Sequence, residues 1–216
     1  MNMKVAAVIP AFNEEKNVTE VLDVVKSAPE LNEIILVNDG SSDQTSRVAK
    51  VQGIRVIDLE SNLGKGAAVL AGVKATDADY ILLLDADLVG LCPHHIKELL
   101  EPVLKGRTEM TLGVFKSGRT MTNLSQKITP FLNGQRVVKR EILMDLSDLD
   151  FTRYGFDLTL SRYAKKIGVE VVEVELDQIT QVMKEEKLGL LQGIVARLKM
   201  YWEVLVSLGV KLPPHS

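Results

Sequence analysis

The chain has 216 residues and a formal net charge of −3, with 46% hydrophobic and 25% charged residues. These are ordinary values for a folded globular protein, and they exclude a disordered chain and a broad basic surface for nucleic acid. The length suits one domain. We therefore expect a single globular domain without a nucleic-acid partner.

Three features of the sequence concern its compartment. The one cysteine, Cys92, cannot form an internal disulfide, and no Cys/His spacing is typical of a zinc site. The N-terminal apolar run is short and leads into acidic residues, unlike a signal peptide. The most apolar stretch, residues 188–210, contains three charged residues, so it is a poor membrane span. These features predict a cytoplasmic protein, with contact at the inner membrane surface left open.

Strands and helices alternate along the first part of the chain. The apolar runs predict strands over residues 5–9, 33–37, 54–59 and 80–84. Helical patterns follow the first three strands, over residues 13–25, after Ser42 or Asp43, and over residues 67–75. This order predicts a mostly parallel sheet with helices on both faces. Ligands of such sheets bind at the carboxyl ends of the strands.

The second part has weaker patterns. They predict helices over residues 93–104, 134–143, 158–167 and 188–208, and strands over residues 111–115 and 169–176. Residues 116–133 show little periodicity. Because they follow the acidic triplet described next, we predict that they form a mobile lid.

The triplet Asp85-Ala86-Asp87 follows the fourth predicted strand. Side chains two residues apart on an extended chain point the same way, so the two carboxylates should share one side. Carboxylate pairs suit a hard divalent cation such as Mg²⁺ or Mn²⁺. The alternative is that both aspartates are turn formers that end a strand.

Other polar groups follow the remaining strands. Gly64, Lys65 and Gly66 stand just before a helix, where backbone N–H groups and an ammonium suit a diphosphate, although the spacing is not a Walker A loop and a plain turn is the alternative. The carboxylate of Asp39 could accept from a base N–H or a ribose hydroxyl. Glu14 is either a charge at a helix terminus or a nucleotide contact.

Taken in order, four motifs resemble the family 2 glycosyltransferases of GT-A fold. They are PAFNEE at residues 10–15, VNDGSSD at 37–43, NLGKG at 62–66 and LDAD at 84–87. The resemblance implies one GT-A domain over residues 1–216, with a nucleotide-sugar half over 1–90, an acceptor half over 91–187 and a C-terminal helix and tail.

The resemblance also implies a nucleotide-diphospho-sugar donor and Mg²⁺ or Mn²⁺. It puts Asp39 near the base, Gly64 and Lys65 near the phosphates, and Asp85 and Asp87 at the metal. The implied donor-binding set is Pro10, Ala11, Asn13, Glu14, Asp39, Gly64, Lys65, Asp85 and Ala86.

Within the family, the glycine-lysine-glycine loop and the DAD triplet look most like those of polyprenyl-phosphate sugar transferases and glucosyl-3-phosphoglycerate synthases. GQRVVKRE at residues 134–141 is similar to a motif of the former, and YGFD at 154–157 to an acidic motif of both. The catalytic candidates are Asp87 and Asp157, and Asp157 would orient the acceptor or take its proton if the acceptor is a hydroxyl. A phosphate acceptor would be held by Arg119, Arg136 or Arg140, with Gln135 beside it. Arg136 is favoured because it lies beside Gly134 at a predicted helix start and carries a guanidinium.

The chain departs from the family pattern in three respects. Val89 stands where the lipid-phosphate enzymes often have glutamine, and Asn38 stands where aspartate is commoner. The phosphoglycerate enzymes supply a late histidine to the metal, but no histidine lies between His95 and His215. The third protein ligand of the metal is therefore left open.

The predicted function is metal-dependent transfer of a sugar to a phosphorylated acceptor. Arginines and lysines in the acceptor half, together with only 5% aromatic residues, favour a phosphate over a neutral sugar chain. The alternatives are a non-catalytic sugar-nucleotide-binding module and a nucleotidyltransferase. A homodimer is left open.

Overall fold

The computed structural model describes residues 3–115, 134–147 and 155–181. The strands are β1 (Val5–Ala11), β2 (Glu33–Asn38), β3 (Arg55–Asp58), β4 (Tyr80–Leu83), β5 (Leu88–Val89), β6 (Met110–Phe115), β7 (Arg136–Lys139), β8 (Val171–Leu176) and β9 (Thr180–Gln181). The helices are α1 (Val18–Lys26), α2 (Thr45–Val51), α3 (Lys65–Lys74), α4 (Pro93–Leu104), α5 (Arg140–Met144) and α6 (Phe156–Lys166).

Within the described ranges, seven strands form one sheet in the order β3-β2-β1-β4-β7-β6-β8. Strands β3, β2, β1 and β4 are parallel to one another, β7 is antiparallel to β4 and β6, and β8 is parallel to β6. A second, two-stranded sheet pairs β5 with β9. The predicted mostly parallel sheet is confirmed.

Alternate side chains of β1 enter two separate hydrophobic clusters, one on each face of the sheet. Val5, Ala7 and Ile9 pack with α1 and α4, whereas Ala6 and Val8 pack with α3 and α6. Each fully buried valine, leucine or isoleucine contributes about 1.5–3 kcal/mol to the free energy of folding. Burial on both faces is why these strands read as continuous apolar runs.

Helix α3 packs unusually close to the sheet because it has a glycine at the contact. A Cβ on Gly72 would meet the side chain of Val8 and lie 3.1 Å from Cγ2 of Val37. The absence of a side chain therefore lets the helix backbone approach β1 and β2. This close approach fixes where the first residue of α3, Lys65, meets the carboxyl edge of the sheet.

Two sequence predictions are wrong at the level of elements. Residues 134–143 form strand β7 and then the short helix α5, since Val137 and Val138 are fully buried between β4 and β6. Strand β1 also continues through Pro10 to Ala11. Strand β4 pairs with β1 only as far as Val8, so at Pro10 a neighbouring strand lies on one side only, where proline is tolerated.

Several predictions lie outside the described residues. They are the lid over 116–133 with Arg119, the start of the acidic motif at Tyr154, and the helix over 188–208. The division into halves stays a prediction. Across the parts of the chain that the structure describes, no helix has the length and apolar character to span a membrane.

Candidate active site

The loops that follow β1 and β2 are joined by hydrogen bonds at the carboxyl edge of the sheet. Asn13 adopts a positive φ of 57°, its N–H donates to Ser41 Oγ at 2.9 Å, and its Oδ1 accepts from the Ser42 N–H at 2.9 Å. The Glu14 N–H donates to Thr45 Oγ1 at 2.8 Å. Two residues predicted to bind the donor, Asn13 and Glu14, therefore also hold the two loops together.

Asn38 at the end of β2 has a carboxylate neighbour. Its Nδ2 donates to Oδ1 of Asp58 at 2.8 Å, and Lys50 pairs with Oδ2 of Asp58 at 2.6 Å. Burial alone would raise the pKa of Asp58, but hydrogen bonds that include those of Lys50 and Asn38 outweigh it and lower this pKa to about 2. An aspartate at position 38 would face that charge, which accounts for the asparagine here.

We expect Asn38→Asp to lower the free energy of unfolding by about 1 kcal/mol, because it replaces a partly buried hydrogen bond by two facing carboxylates. Urea titration at pH 7 measures this loss. The double variant Asn38→Asp/Asp58→Asn restores the bond with reversed roles and should recover most of the stability. No recovery in the double variant would contradict this account of position 38.

Asp39 lies at the start of the loop after β2 and is only 4% exposed. Its Oδ1 accepts the N–H of Leu63 at 2.7 Å and its Oδ2 accepts the N–H of Gly64 at 2.9 Å. The backbone donors expected to meet a phosphate at Leu63 and Gly64 are thus bonded to Asp39. The first turn of α3 and the ammonium of Lys65 are the remaining features of that loop that suit an anion.

Lys65 joins two carboxylates that come from distant parts of the sequence. Its Nζ lies 2.8 Å from Oδ1 of Asp85 and 2.9 Å from Oδ2 of Asp157. Burial alone would lower the pKa of Lys65, but the charges of Asp157 and Asp85 outweigh it and raise this pKa above its usual value. The ammonium therefore stays protonated, and it links the strand end at β4 to helix α6.

Gln135 and Arg136, predicted to contact the acceptor, lie beside the same carboxylates. Nε2 of Gln135 donates to Oδ2 of Asp85 at 2.8 Å. Nη1 of Arg136 donates to the Asp157 carbonyl at 3.4 Å, and Nη2 lies 3.7 Å from Oδ1 of Asp157. Burial lowers the pKa of Arg136, against the opposing charges of Asp157 and Asp85.

The acceptor role of Arg136 stays a prediction. In this structure its side chain is fully buried behind Asp157. The sequence pattern did not indicate this burial, because it predicted a helix over residues 134–143 with Arg136 close to its start. Its position in β7, between β4 and β6, is what buries it.

Asp87 lies two residues after Asp85 and is half-buried. The residues that follow it form β5, which pairs with β9 and so ties this segment to residues 180–181. Carboxylate oxygens are ligands that Mg²⁺ and Mn²⁺ accept, so Asp85 and Asp87 fit such an ion by chemistry. In the described ranges, however, no three His, Cys, Asp or Glu side chains gather into a metal site.

Other predicted site residues supply backbone rather than reactive groups. Ala11 and Ala86 are buried, at 4% and 3% exposure, and Pro10 is half-buried at the end of β1. Sequence reasoning missed the part played by Gly134, where a Cβ would lie 2.8 Å from Oδ1 of Asp85 and would also meet Nζ of Lys65. The sequence signal for this role is GQRVV at residues 134–138, a glycine directly before two polar residues and a short apolar run.

Comparisons with known proteins identify the family of the chain. The model of glycosyl transferase family 2 matches residues 6–164. The chain is 34% identical over 176 residues to dolichyl-phosphate beta-glucosyltransferase ALG5A of Trichomonas vaginalis, a match that covers 74% of this chain and 54% of that protein. It is 32% identical over 111 residues to glucosyl-3-phosphoglycerate synthase of Mycobacterium tuberculosis, covering 47% of this chain and 34% of that one.

Among solved structures, the fold is similar to M. tuberculosis glucosyl-3-phosphoglycerate synthase in complex with Mn²⁺, UDP-glucose and phosphoglyceric acid. The TM-score is 0.76 at 24% identity, over 98% of this chain and 81% of that one. The sheet and its flanking helices thus have the GT-A fold. The chain belongs to family 2 of the glycosyltransferases. The chain spans about half the length of the T. vaginalis relative.

Proposed function

We propose that this protein transfers a sugar from a nucleotide-diphospho-sugar to a phosphorylated acceptor with the help of Mg²⁺ or Mn²⁺. The observation that carries the proposal is the position of Lys65, whose ammonium lies between Asp85 and Asp157 at the carboxyl edge of the sheet. In parallel sheets this edge is where ligands bind. Residues 1–90 would form the donor half and residues 91–187 the acceptor half.

Asp87 and Asp85 are the residues that would hold the cation. When bound, the cation supplies Lewis-acid stabilisation of the charge that develops on the leaving nucleoside diphosphate, worth several kcal/mol. Asp85 is already oriented by Lys65 and Gln135. Lys65 contributes a fixed positive charge at the N-terminus of α3, where the helix dipole also favours an anion.

Asp157 is the acceptor-side group of the proposal. Lys65 and Arg136 hold its carboxylate in place, and it is 7% exposed. If the attacking group is a hydroxyl of a phosphorylated acceptor, Asp157 would take its proton; if it is a phosphate oxygen, which is already an anion, no base is needed and Asp157 would only help to orient the acceptor. Relatives named for dolichyl phosphate, undecaprenyl phosphate and 3-phosphoglycerate have names that contain a phosphorylated acceptor and support the choice of a phosphorylated molecule.

The deciding experiment has two stages. Thermal-shift titration with UDP, GDP and their sugars, with and without Mn²⁺, first identifies the donor, since a ligand at a hundredfold excess over its Kd stabilises the fold by about 2.7 kcal/mol. The labelled donor is then offered with 3-phosphoglycerate, a short polyprenyl phosphate or a neutral oligosaccharide. Transfer to one of the two phosphates supports the proposal and tells a soluble acceptor from a membrane lipid. Transfer to the neutral acceptor alone refutes it.

We expect Gly134→Ala to weaken binding of the donor's nucleoside diphosphate at least about tenfold with little change in melting temperature. The new Cβ would meet Nζ of Lys65 and lie 2.7 Å from Oδ2 of Asp85, and the ends of these flexible side chains would have to move. Calorimetry with UDP and Mn²⁺ measures the affinity. Unchanged affinity would show that the position of Lys65 and Asp85 does not matter for the donor.

A further inference from the structure

The inference concerns the charged side chains around Lys65. Its Nζ lies 2.8 Å from Oδ1 of Asp85 and 2.9 Å from Oδ2 of Asp157, and Nη2 of Arg136 lies 3.7 Å from the other oxygen of Asp157. Two carboxylates and two cationic groups thus lie together, and their formal charges sum to zero. The negative charge of Asp85 is therefore balanced by side chains of the chain itself.

The backbone leaves room for the ammonium at this place. Gly134 has no side chain, and a Cβ there would meet Nζ of Lys65 and lie 2.8 Å from Oδ1 of Asp85. The other oxygen of Asp85, Oδ2, accepts a hydrogen bond from Nε2 of Gln135 at 2.8 Å. The ammonium and the Asp85 carboxylate are therefore in contact in a tight and mostly buried site, with side chains that are 23% and 18% exposed.

A divalent cation on Asp85 would share that carboxylate with the ammonium. A carboxylate oxygen can accept more than one partner, so Asp85 can coordinate a cation in spite of its present contacts. The obstacle is charge, because the doubly charged cation would lie close to the positively charged ammonium. In a mostly buried site this repulsion is screened less than between exposed charges. The cation alone should therefore bind weakly.

A diphosphate reduces this obstacle. Lys65 is the first residue of α3, where the helix N-terminus also favours an anion. A diphosphate bound there would add negative charge beside the ammonium and offset its repulsion of the cation. By thermodynamic linkage, the cation would then raise the affinity for the diphosphate by the same factor by which the diphosphate raises the affinity for the cation.

We propose that Lys65 makes cation binding at Asp85 conditional on the donor diphosphate, because its ammonium keeps Mg²⁺ or Mn²⁺ weakly bound until the diphosphate is present. The inference rests on the proposed function, since it presumes that a nucleoside diphosphate and a cation share this site. It gives Lys65 a second role besides its contact with the donor, and this second role opposes binding of the cation alone.

The test measures Mn²⁺ binding without nucleotide, from the electron paramagnetic resonance signal of free Mn²⁺. We expect Lys65→Met to bind Mn²⁺ alone at least about fivefold more tightly than the wild type, while its affinity for UDP or GDP with Mn²⁺ falls. A merely structural role would lower both affinities, so the opposite signs distinguish the two explanations. Unchanged or weaker Mn²⁺ binding by Lys65→Met would overturn the inference.

Two further comparisons keep the test decisive. Lys74→Met removes the same charge at the other end of α3, and its Mn²⁺ affinity should stay within about twofold of the wild type. A gain equal to that of Lys65→Met would mean a general effect of net charge and would also overturn the inference. Where Lys65→Met does not fold, Lys65→Met/Asp157→Asn is compared with Asp157→Asn. The double variant should again bind Mn²⁺ alone at least about fivefold more tightly, and equal affinities would contradict the inference.

Failure of the inference and failure of the proposed function look different. A wild-type protein that binds neither UDP nor GDP with Mn²⁺ refutes the proposed function, and the inference with it. A wild-type protein that binds one of them, but binds Mn²⁺ alone as tightly as Lys65→Met does, refutes the inference alone.

Discussion

Asp87→Asn should abolish the Mn²⁺-dependent part of nucleotide-sugar binding while the protein stays folded. Asp87 is half-buried beside the site, and the amide keeps its shape but loses the charge that a hard cation requires. We expect affinity for UDP in the presence of Mn²⁺ to fall at least about a hundredfold, to the level measured without metal. Calorimetry with and without Mn²⁺, on both proteins, measures this difference.

Asp85→Asn is the matched variant, because Asp85 has defined protein partners. Its two oxygens contact Lys65 and Gln135, so the neutral amide should destabilise the fold as well as weaken donor binding. Circular dichroism and urea titration separate these effects. If Asp87→Asn kept the metal dependence of the wild type, Asp87 would not be a metal ligand.

The parallel strands β1, β2, β3 and β4 could be predicted from the sequence because their signals are local. Strands β1, β2 and β4 are buried on both faces and end at clusters of polar residues, so apolar runs and turn formers mark both the strand and the edge where ligands bind. Parallel order then brings those clusters together without knowledge of any particular contact. The family motifs lie in these same segments.

The contacts of residues 134–157 could not be predicted in the same way because their partners are distant in sequence. Lys65 and Asp157 are 92 positions apart, and Gln135 and Asp85 are 50 apart. Residues 136–139 are too few to show the two-residue alternation of a strand. The adjoining residues 140–144 form a helix, and the predicted helix therefore included the strand residues that precede it. Only the pairing of β7 with β4 and β6 reveals that Arg136 is buried.

At Asn38 the chain departs from the family pattern, and a hydrogen bond to Asp58 explains this departure. In the sequence alone, an asparagine at this position only weakens the resemblance. The structure gives it a partner, since Asp58 on the adjacent strand β3 accepts its amide N–H at 2.8 Å. The substitution and its compensation lie 20 residues apart, and a strand register was needed to connect them.

The second large effect is expected from Lys65→Met, which removes the ammonium shared by Asp85 and Asp157. Methionine matches lysine in helix propensity, so α3 itself should persist. The side chains of Asp85 and Asp157 are 18% and 10% exposed, and their carboxylates would face each other without their common cation. Breaking such a buried pair costs about 3 kcal/mol in the free energy of unfolding. Donor affinity should also fall at least about tenfold, because a positive charge beside the diphosphate is lost.

The double variant Lys65→Met/Asp157→Asn separates stability from function. Removing one carboxylate relieves the repulsion, so the free energy of unfolding should recover in part, but UDP affinity should stay low because the ammonium is still missing.

Lys74→Met is the control: Lys74 is exposed at the other end of α3, and its loss should change stability by less than about 0.5 kcal/mol. Urea titration and calorimetry on the four proteins measure both quantities. A Lys65→Met protein as stable as the wild type would show that the three charges are not coupled, and recovery of UDP affinity in the double variant would show that Lys65 does not act on the donor.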